Sequence, residues 1–222
     1  MKLRSVIMCL VVSVFIVAGF RSAQASAIPS LFNTGVNASG TPLPDGTLGD
    51  PHYALVSVPG DTTTIRVRTS AGGYPIPPYI GDDSLSAWIG PNNNSQVDGP
   101  VGLYDYQTTF DLTGFVPGTA MITGGWSTDN GGVRILLNGV DTGNPGTSTI
   151  QFSIGFASFG ITTGFHSGIN TLDFIVNNDG GPTALRVEMT GTASPVPEPG
   201  SLLLLGTGLA GLAKLAHRKL SR

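Results

Sequence analysis

Leu185-Arg186-Val187-Glu188-Met189-Thr190 alternates apolar with polar side chains at every step, the period of a strand with one buried face. Thr64-Ile65-Arg66-Val67-Arg68 repeats the pattern, with Ile65 and Val67 on the apolar side. Working outward, short β-branched and aromatic runs recur between Gly, Asn, Asp and Pro. The expected strands are Tyr53–Val58, 64–69, 86–89, Tyr104–Leu112, 120–126, 133–137, 149–154, 171–176 and 185–190. No helical period interrupts them, so the reading is an all-β, antiparallel two-sheet sandwich over residues 51–193. Residues 26–50 are turn-rich and read as an extended lead-in with one short strand at most.

Both ends differ from this body. Lys2 and Arg4 precede an apolar run from Val6 to Phe20, and Ala23-Gln24-Ala25 supplies a small-x-small cleavage site. That is the layout of a secretory signal peptide over residues 1–25, with signal peptidase expected to cut after Ala25. The run is short for a permanent span, which takes about 20 apolar residues. At the other end, Ser194-Pro195-Val196-Pro197-Glu198-Pro199-Gly200 leads into a charge-free stretch from Ser201 to Ala213, then Lys214, His217, Arg218, Lys219 and Arg222. The prolines around Glu198 oppose a continuous helix and favour an extended segment open to a peptidase. The apolar stretch is expected to form a short membrane helix, with its basic end cytoplasmic.

Charge and cysteine content narrow the function. Cys9 is the chain's one cysteine and lies inside the signal, so the exported form has no disulfide, thiol nucleophile or thiolate metal site. Residues 26–200 hold all fourteen acids and only Arg66, Arg68, Arg134 and Arg186 as cations, a formal charge of 4 − 14 = −10 without a lysine. Such a surface repels phosphate backbones and excludes nucleic acid as a partner. Neutral sugars and divalent cations stay open.

Val196-Pro197-Glu198-Pro199 followed by a short Leu/Gly/Ala helix and a basic cluster resembles the PEP-CTERM sorting signal, over residues 194–222. The resemblance implies export in a bacterium that makes extracellular polysaccharide, with processing near Pro-Glu-Pro by an exosortase-type peptidase. The protein would be membrane-anchored through its C-terminus first, then at the cell surface or extracellular. A plain tail anchor is the competing reading.

The body carries a weaker likeness. Trp88-Ile89-Gly90-Pro91-Asn92, Tyr106-Gln107-Thr108-Thr109-Phe110-Asp111-Leu112, Trp126-Ser127-Thr128-Asp129-Asn130-Gly131, Val133-Arg134-Ile135-Leu136-Leu137-Asn138-Gly139 and His166-Ser167-Gly168-Ile169-Asn170-Thr171-Leu172 follow one another in the order of the galactose-binding-domain-like jelly roll. That family includes many carbohydrate-binding modules, but these motifs chiefly specify fold: Asn138-Gly139 is a hairpin pair and Gly168 with Asn170 a tight reversal.

Sugar recognition needs an aromatic face beside polar partners. Trp88 and Trp126, with Tyr104 and Tyr106, are the candidate faces; Asp129 and Asn130, with Asn92 and Asn93, are the candidate polar partners. The competing reading makes these aromatics core. Asp82-Asp83, Asp129-Asn130 and Asn177-Asn178-Asp179 offer oxygen ligands for a structural calcium, and turn chemistry accounts for them equally. No other cofactor is expected. No Gly-x-Ser-x-Gly elbow, His-Glu-x-x-His or phosphate loop is present, which opposes catalysis. Three classes remain: an exopolysaccharide-binding surface protein, a purely structural matrix protein, and, with least support, a glycosidase-like enzyme.

Overall fold

The structure is a computed structural model that describes residues 24–60, 63–92, 98–197, 206–212, 214 and 217. The expected signal peptide up to residue 23, Asn93, Glu198, Pro199 and most of the C-terminal basic cluster lie outside the described residues. Ala25–Ser194 is one compact unit, and the terminal segments form another. Residues 206–212 are helical. Among the described residues no helix is long and apolar enough to cross a membrane.

The body is the expected antiparallel sandwich. Its strands are β1 (Ser26–Ala27), β2 (Tyr53–Ser57), β3 (Ile65–Arg68), β4 (Trp88–Pro91), β5 (Gly102–Asp111), β6 (Met121–Asp129), β7 (Gly131–Leu137), β8 (Val140–Asp141), β9 (Ala157–Ile161), β10 (Ile169–Asn178) and β11 (Ala184–Ala193). One sheet runs β3-β4-β11-β6-β9 with β1 also on β11; the other runs β2-β5-β10-β7-β8. From β4 to β11 the chain fills the interleaved orders 4-11-6-9 and 5-10-7-8, which is jelly-roll winding. Trp126, Tyr104, Tyr106, Phe110, Phe159, Leu172, Phe174, Leu185 and Val187 fill the space between the sheets. The hairpin pair behaves as its sequence requires, with Asn138 at φ 53° and Gly139 at φ 78° joining β7 to β8.

Two expectations are corrected. The run 149–154 is not a strand: Gln151–Ile154 is a single helical turn, α1. Its apolar residues alternate in sequence, but only Phe152 packs inward, against Tyr79 at 5.3 Å, while Ile150 and Ile154 stay exposed. Gly155 at φ 115° ends the turn, and β9 begins two residues later. The second correction concerns the polar sides of β3 and β11, which are not solvent faces: Arg68 and Arg186 are buried. A third layer covers that side of the six-stranded sheet. It consists of residues 70–86 and α1, and it encloses a second apolar cluster of Ile76, Tyr79, Trp88 and Ala184 with Ile80 and Phe152.

The lead-in is part of the six-stranded sheet, lying between Ala87, just before β4, and the middle of β11. Thr34 N–H donates to the Val187 carbonyl (3.2 Å), Val187 N–H donates to Thr34 Oγ1 (3.0 Å), and Met189 N–H donates to Asn33 Oδ1 (2.8 Å). Side-chain oxygens thus stand in for a neighbouring strand along the middle of β11.

Candidate functional site

The two ends of the sandwich are chemically unlike. At one, Ser26 pairs with Ala193 and Ala27 with Thr192. Ser194 N–H donates to Thr119 Oγ1 (2.8 Å), and Val116 N–H donates to the Ser194 carbonyl (2.8 Å). The chain therefore enters and leaves the sandwich side by side. Val196 and Pro197, the described part of the expected processing motif, are exposed just beyond the last clamped residue. Ala25 immediately precedes β1; Ala23 lies outside the described residues.

The other end lies at the start of β11, about 30 Å away by strand rise, and collects the polar loops. Asp129 pairs with Ala184, and Thr183 Oγ1 donates to the Asp129 carbonyl (2.7 Å). Asn130 N–H donates to the Asn177 carbonyl (3.2 Å), and Asn130 Oδ1 accepts from Asp179 N–H (2.6 Å). Asn177 Nδ2 donates to Asp179 Oδ1 (2.7 Å), and buried Asn178 donates to the Gly99 carbonyl (2.8 Å). Asn130, Asn177 and Asp179 retain solvent exposure, so this pole offers amide and carboxylate groups to a polar ligand.

The expected site residues do not form one surface. Trp88 and Trp126 are both 0% exposed. Trp88 lies in the outer cluster, its indole N–H donating to the Ile80 carbonyl (3.0 Å) and its ring 4.6 Å from Tyr79. Trp126 is on the opposite side of the sheet, 5.8 Å from Phe174. Tyr104 and Tyr106 are core residues as well. The expected stacking faces are therefore packing faces, because a strand aromatic directed at either layer of this three-layer body meets protein.

Asp129 is 4% exposed, with Oδ2 accepting from Tyr79 O–H (2.6 Å) and Oδ1 buried without a partner. Burial raises its pKa to about 6 against the lowering effect of the Tyr79 bond. Tyr79 ties Trp88 to Asp129 and was missed in the sequence: it sits in Tyr74-Pro75-Ile76-Pro77-Pro78-Tyr79, where no periodicity operates.

The acidic loops are engaged in local bonding. Asp82 accepts from the Ser70 backbone and hydroxyl, and Asp83 accepts from the N–H groups of Leu85 and Ser86 while pairing with Arg186 (2.6 Å). Among the described residues no group of three or more His, Cys, Asp or Glu side chains is gathered to hold a metal.

The buried carboxylates set a pH dependence. Asp105 is also raised to about 6, by burial and then by the charge of Asp173, and Asp50 is raised by burial. Groups with folded pKa values above their unfolded ones stabilise the fold below about pH 4, and that contribution is lost as pH rises through about 6. The thermal midpoint is expected to fall between pH 4 and pH 7. Asp129→Asn, which keeps an acceptor for Tyr79, should flatten part of that slope; an unchanged profile for Asp129→Asn would show that Asp129 titrates normally.

Residues 195–219 carry the PEP-CTERM protein-sorting motif, which marks an exported protein sorted and processed by exosortase. Comparison with curated proteins gives no match. Among solved structures, the chain is similar to CBM35 from Paenibacillus barcinonensis, at 14% identity and TM-score 0.31, over 75% of this chain and 97% of that one. It is also similar to the CBM36-1 domain of a multidomain xylanase from the hindgut metagenome of Trinervitermes trinervoides, at 14% identity and TM-score 0.32, over 68% and 98%. Likeness at this level says nothing of ligand.

Proposed function

We propose that the chain is an exported, non-enzymatic surface or matrix protein that binds exopolysaccharide through the pole bearing Asn130, Asn177 and Asp179. It is held at the membrane by its C-terminal helix until an exosortase-type peptidase cleaves near Pro197-Glu198-Pro199. The observation that carries this reading is positional. The sorting segment leaves the sandwich after Ser194, and the polar loops bearing Asn130, Asn177 and Asp179 lie at the opposite end of β11. Recognition there rests on hydrogen bonding by amides and carboxylates, without the stacking faces expected from sequence. The burial of Trp88 and Trp126 favours one competing reading, a matrix protein without a specific ligand. A glycosidase-like role is opposed by Glu188, whose carboxylate accepts from Ser86 (2.8 Å) and lies 3.5 Å from Arg186.

Replacing Pro197, Glu198 and Pro199 by alanines is expected to leave a full-length, membrane-retained species on immunoblots of fractionated cells. Unchanged processing would reduce the tail to a plain anchor. Glycan-array binding by the secreted protein, lost in Asn130→Ala with the melting midpoint retained, would support the polysaccharide reading. Absence of binding to any glycan would leave the structural one.

A further inference from the structure

The end of β11 is held along both of its edges. Thr192 pairs with Ala27 of β1 on one side and with Met121 of β6 on the other, and Ser26 pairs with Ala193. One residue further back along β11, the Gly191 carbonyl accepts from Ile28 N–H (2.9 Å). A Cβ at Gly191 would lie 2.9 Å from both Ile28 Cδ1 and Leu31 Cδ2, so these side chains rest on the strand backbone itself. Ile28 is 4% exposed and Ala193 0%. Beyond the strand the hold passes to the turn before β6. Ser194 N–H donates to Thr119 Oγ1 (2.8 Å), the Ser194 carbonyl accepts from Val116 N–H (2.8 Å), and the Thr119 hydroxyl donates to the Val116 carbonyl (2.7 Å).

Only Pro195, Val196 and Pro197 separate the hydrogen-bonded Ser194 from Glu198. Fully extended, three residues span at most about 10 Å. A peptidase takes its substrate as an extended chain, with residues on both sides of the cut bond inside its cleft. A strand paired on both edges has no free backbone groups to offer it. Chain upstream of Glu198 therefore meets the sandwich after very few residues, and further slack can come only from the exit itself. That opening is graded. Ser194 is held by two hydrogen bonds, one of them to the exposed Thr119, whereas lifting Gly191 to Ala193 would also uncover Ile28 and Ala193.

We infer that the folded sandwich restrains its own processing: the exit formed by β1, the end of β11 and residues 116–119 must open at Ser194 before the exosortase-type peptidase cuts near Pro197-Glu198-Pro199. The inference rests on the sorting reading above and adds to it a brake built into the domain. The cut itself is hydrolysis. The peptide C–N bond breaks, the oxygen of water joins the acyl carbon on the sandwich side, and a proton goes to the amine left on the tail. The fraction of exits open at any moment scales the rate of that step. Processing therefore follows two quantities, the strength of the hold on Ser194 and the length of chain beyond it. Because Ser194 lies outside β11, the sheet stays paired while the exit opens.

The test is pulse-chase immunoblotting of the full chain in its native host, reading processed against full-length protein over time. Thr119→Val removes the acceptor of Ser194 N–H and is expected to speed processing about two- to tenfold, the worth of one hydrogen bond. The melting midpoint of the secreted protein should be kept, because Thr119 is exposed. Six Gly/Ser residues inserted between Ser194 and Pro195 add a flexible reach of about 13 Å and should speed processing at least as much. The two changes together should do no more than the insertion alone, since ample slack makes the hold on Ser194 irrelevant. An insertion that leaves the rate unchanged or lowers it overturns the inference, and so does full additivity of the two changes. The insertion alters no residue of the sandwich, so it decides the matter even where Thr119→Val lowers the midpoint. The variant with alanines at Pro197, Glu198 and Pro199 separates this inference from the reading beneath it. Normal processing of that variant removes both; a block there, with an insertion that has no effect, removes the brake alone.

Discussion

Trp126→Ala is expected to destabilise the sandwich by about 3–5 kcal/mol, a large part of the roughly 5–15 kcal/mol that holds a domain folded. The side chain is wholly buried between the sheets, its ring tilted 51° to Phe174 at 5.8 Å. A Cβ added at Gly132 would collide with the far edge of the indole, so the neighbouring strand already carries a glycine to admit it. Truncation leaves a cavity that Phe174 and Phe159, packed edge-on at 5.8 Å, cannot both move to fill. Trp126→Phe should cost much less, because it keeps most of the ring and removes an indole N–H that is buried without a partner. The checks are urea unfolding and the thermal midpoint. A Trp126→Ala protein that melts like wild type but loses glycan binding would return Trp126 to a surface role and contradict the packing described above.

The fold was legible where side-chain period and layer agreed. Val187 and Leu185 face the core as their alternation requires, and Asn138-Gly139 turns where the dipeptide says it should. The period failed where the polar side of a strand was roofed. Arg186 alternates like a solvent residue, yet it is 1% exposed because a proline-rich segment with no period of its own folds over it. The lead-in was hard to read for a related reason. Asn33 and Thr34 join the edge of β11 through side-chain oxygens, so no β-branched run marks the contact. β9 was missed because Ala157-Ser158-Phe159-Gly160-Ile161 is small and glycine-bearing; its free edge is met by the Asn144 amide, which exchanges hydrogen bonds with the Gly160 backbone at 3.0 Å each. At the candidate site, residue types told Asp129 and Asn130 apart from their surroundings, but depth was invisible. The same loop buries one at 4% and leaves the next accessible.

Arg186→Met is expected to cost about 3 kcal/mol or more, although Arg186 looks like a surface residue in the sequence. Its Nε donates to Ser86 Oγ (2.7 Å), and its terminal nitrogens donate to the carbonyls of Gly81 (2.7 Å) and Ser86 (3.2 Å). It pairs with Asp83 and Glu188, and its guanidinium lies 5.5 Å from the Phe156 ring centre. One side chain thus holds residues 81–86 down on β11 and keeps the layer that encloses Trp88 in place. Removal leaves the Gly81 and Ser86 carbonyls without that donor and the Asp83 and Glu188 carboxylates without their cation. Because the Asp83 side chain is 42% exposed, water recovers part of that loss, which sets the expected cost at the lower end of the range for a broken buried pair. Arg186→Lys should not rescue the fold, since a single ammonium cannot reach Ser86, Gly81 and Asp83 at once with the planar fork that Arg supplies. Adding Asp83→Asn and Glu188→Gln to Arg186→Met should recover part of the stability by removing the stranded charges. Thermolysin nicking within residues 80–86 and a red shift of tryptophan emission below the global midpoint would report the layer lifting before the sandwich unfolds. An Arg186→Lys protein with the wild-type midpoint and no early nicking would show that charge alone, without the fork, holds the third layer down.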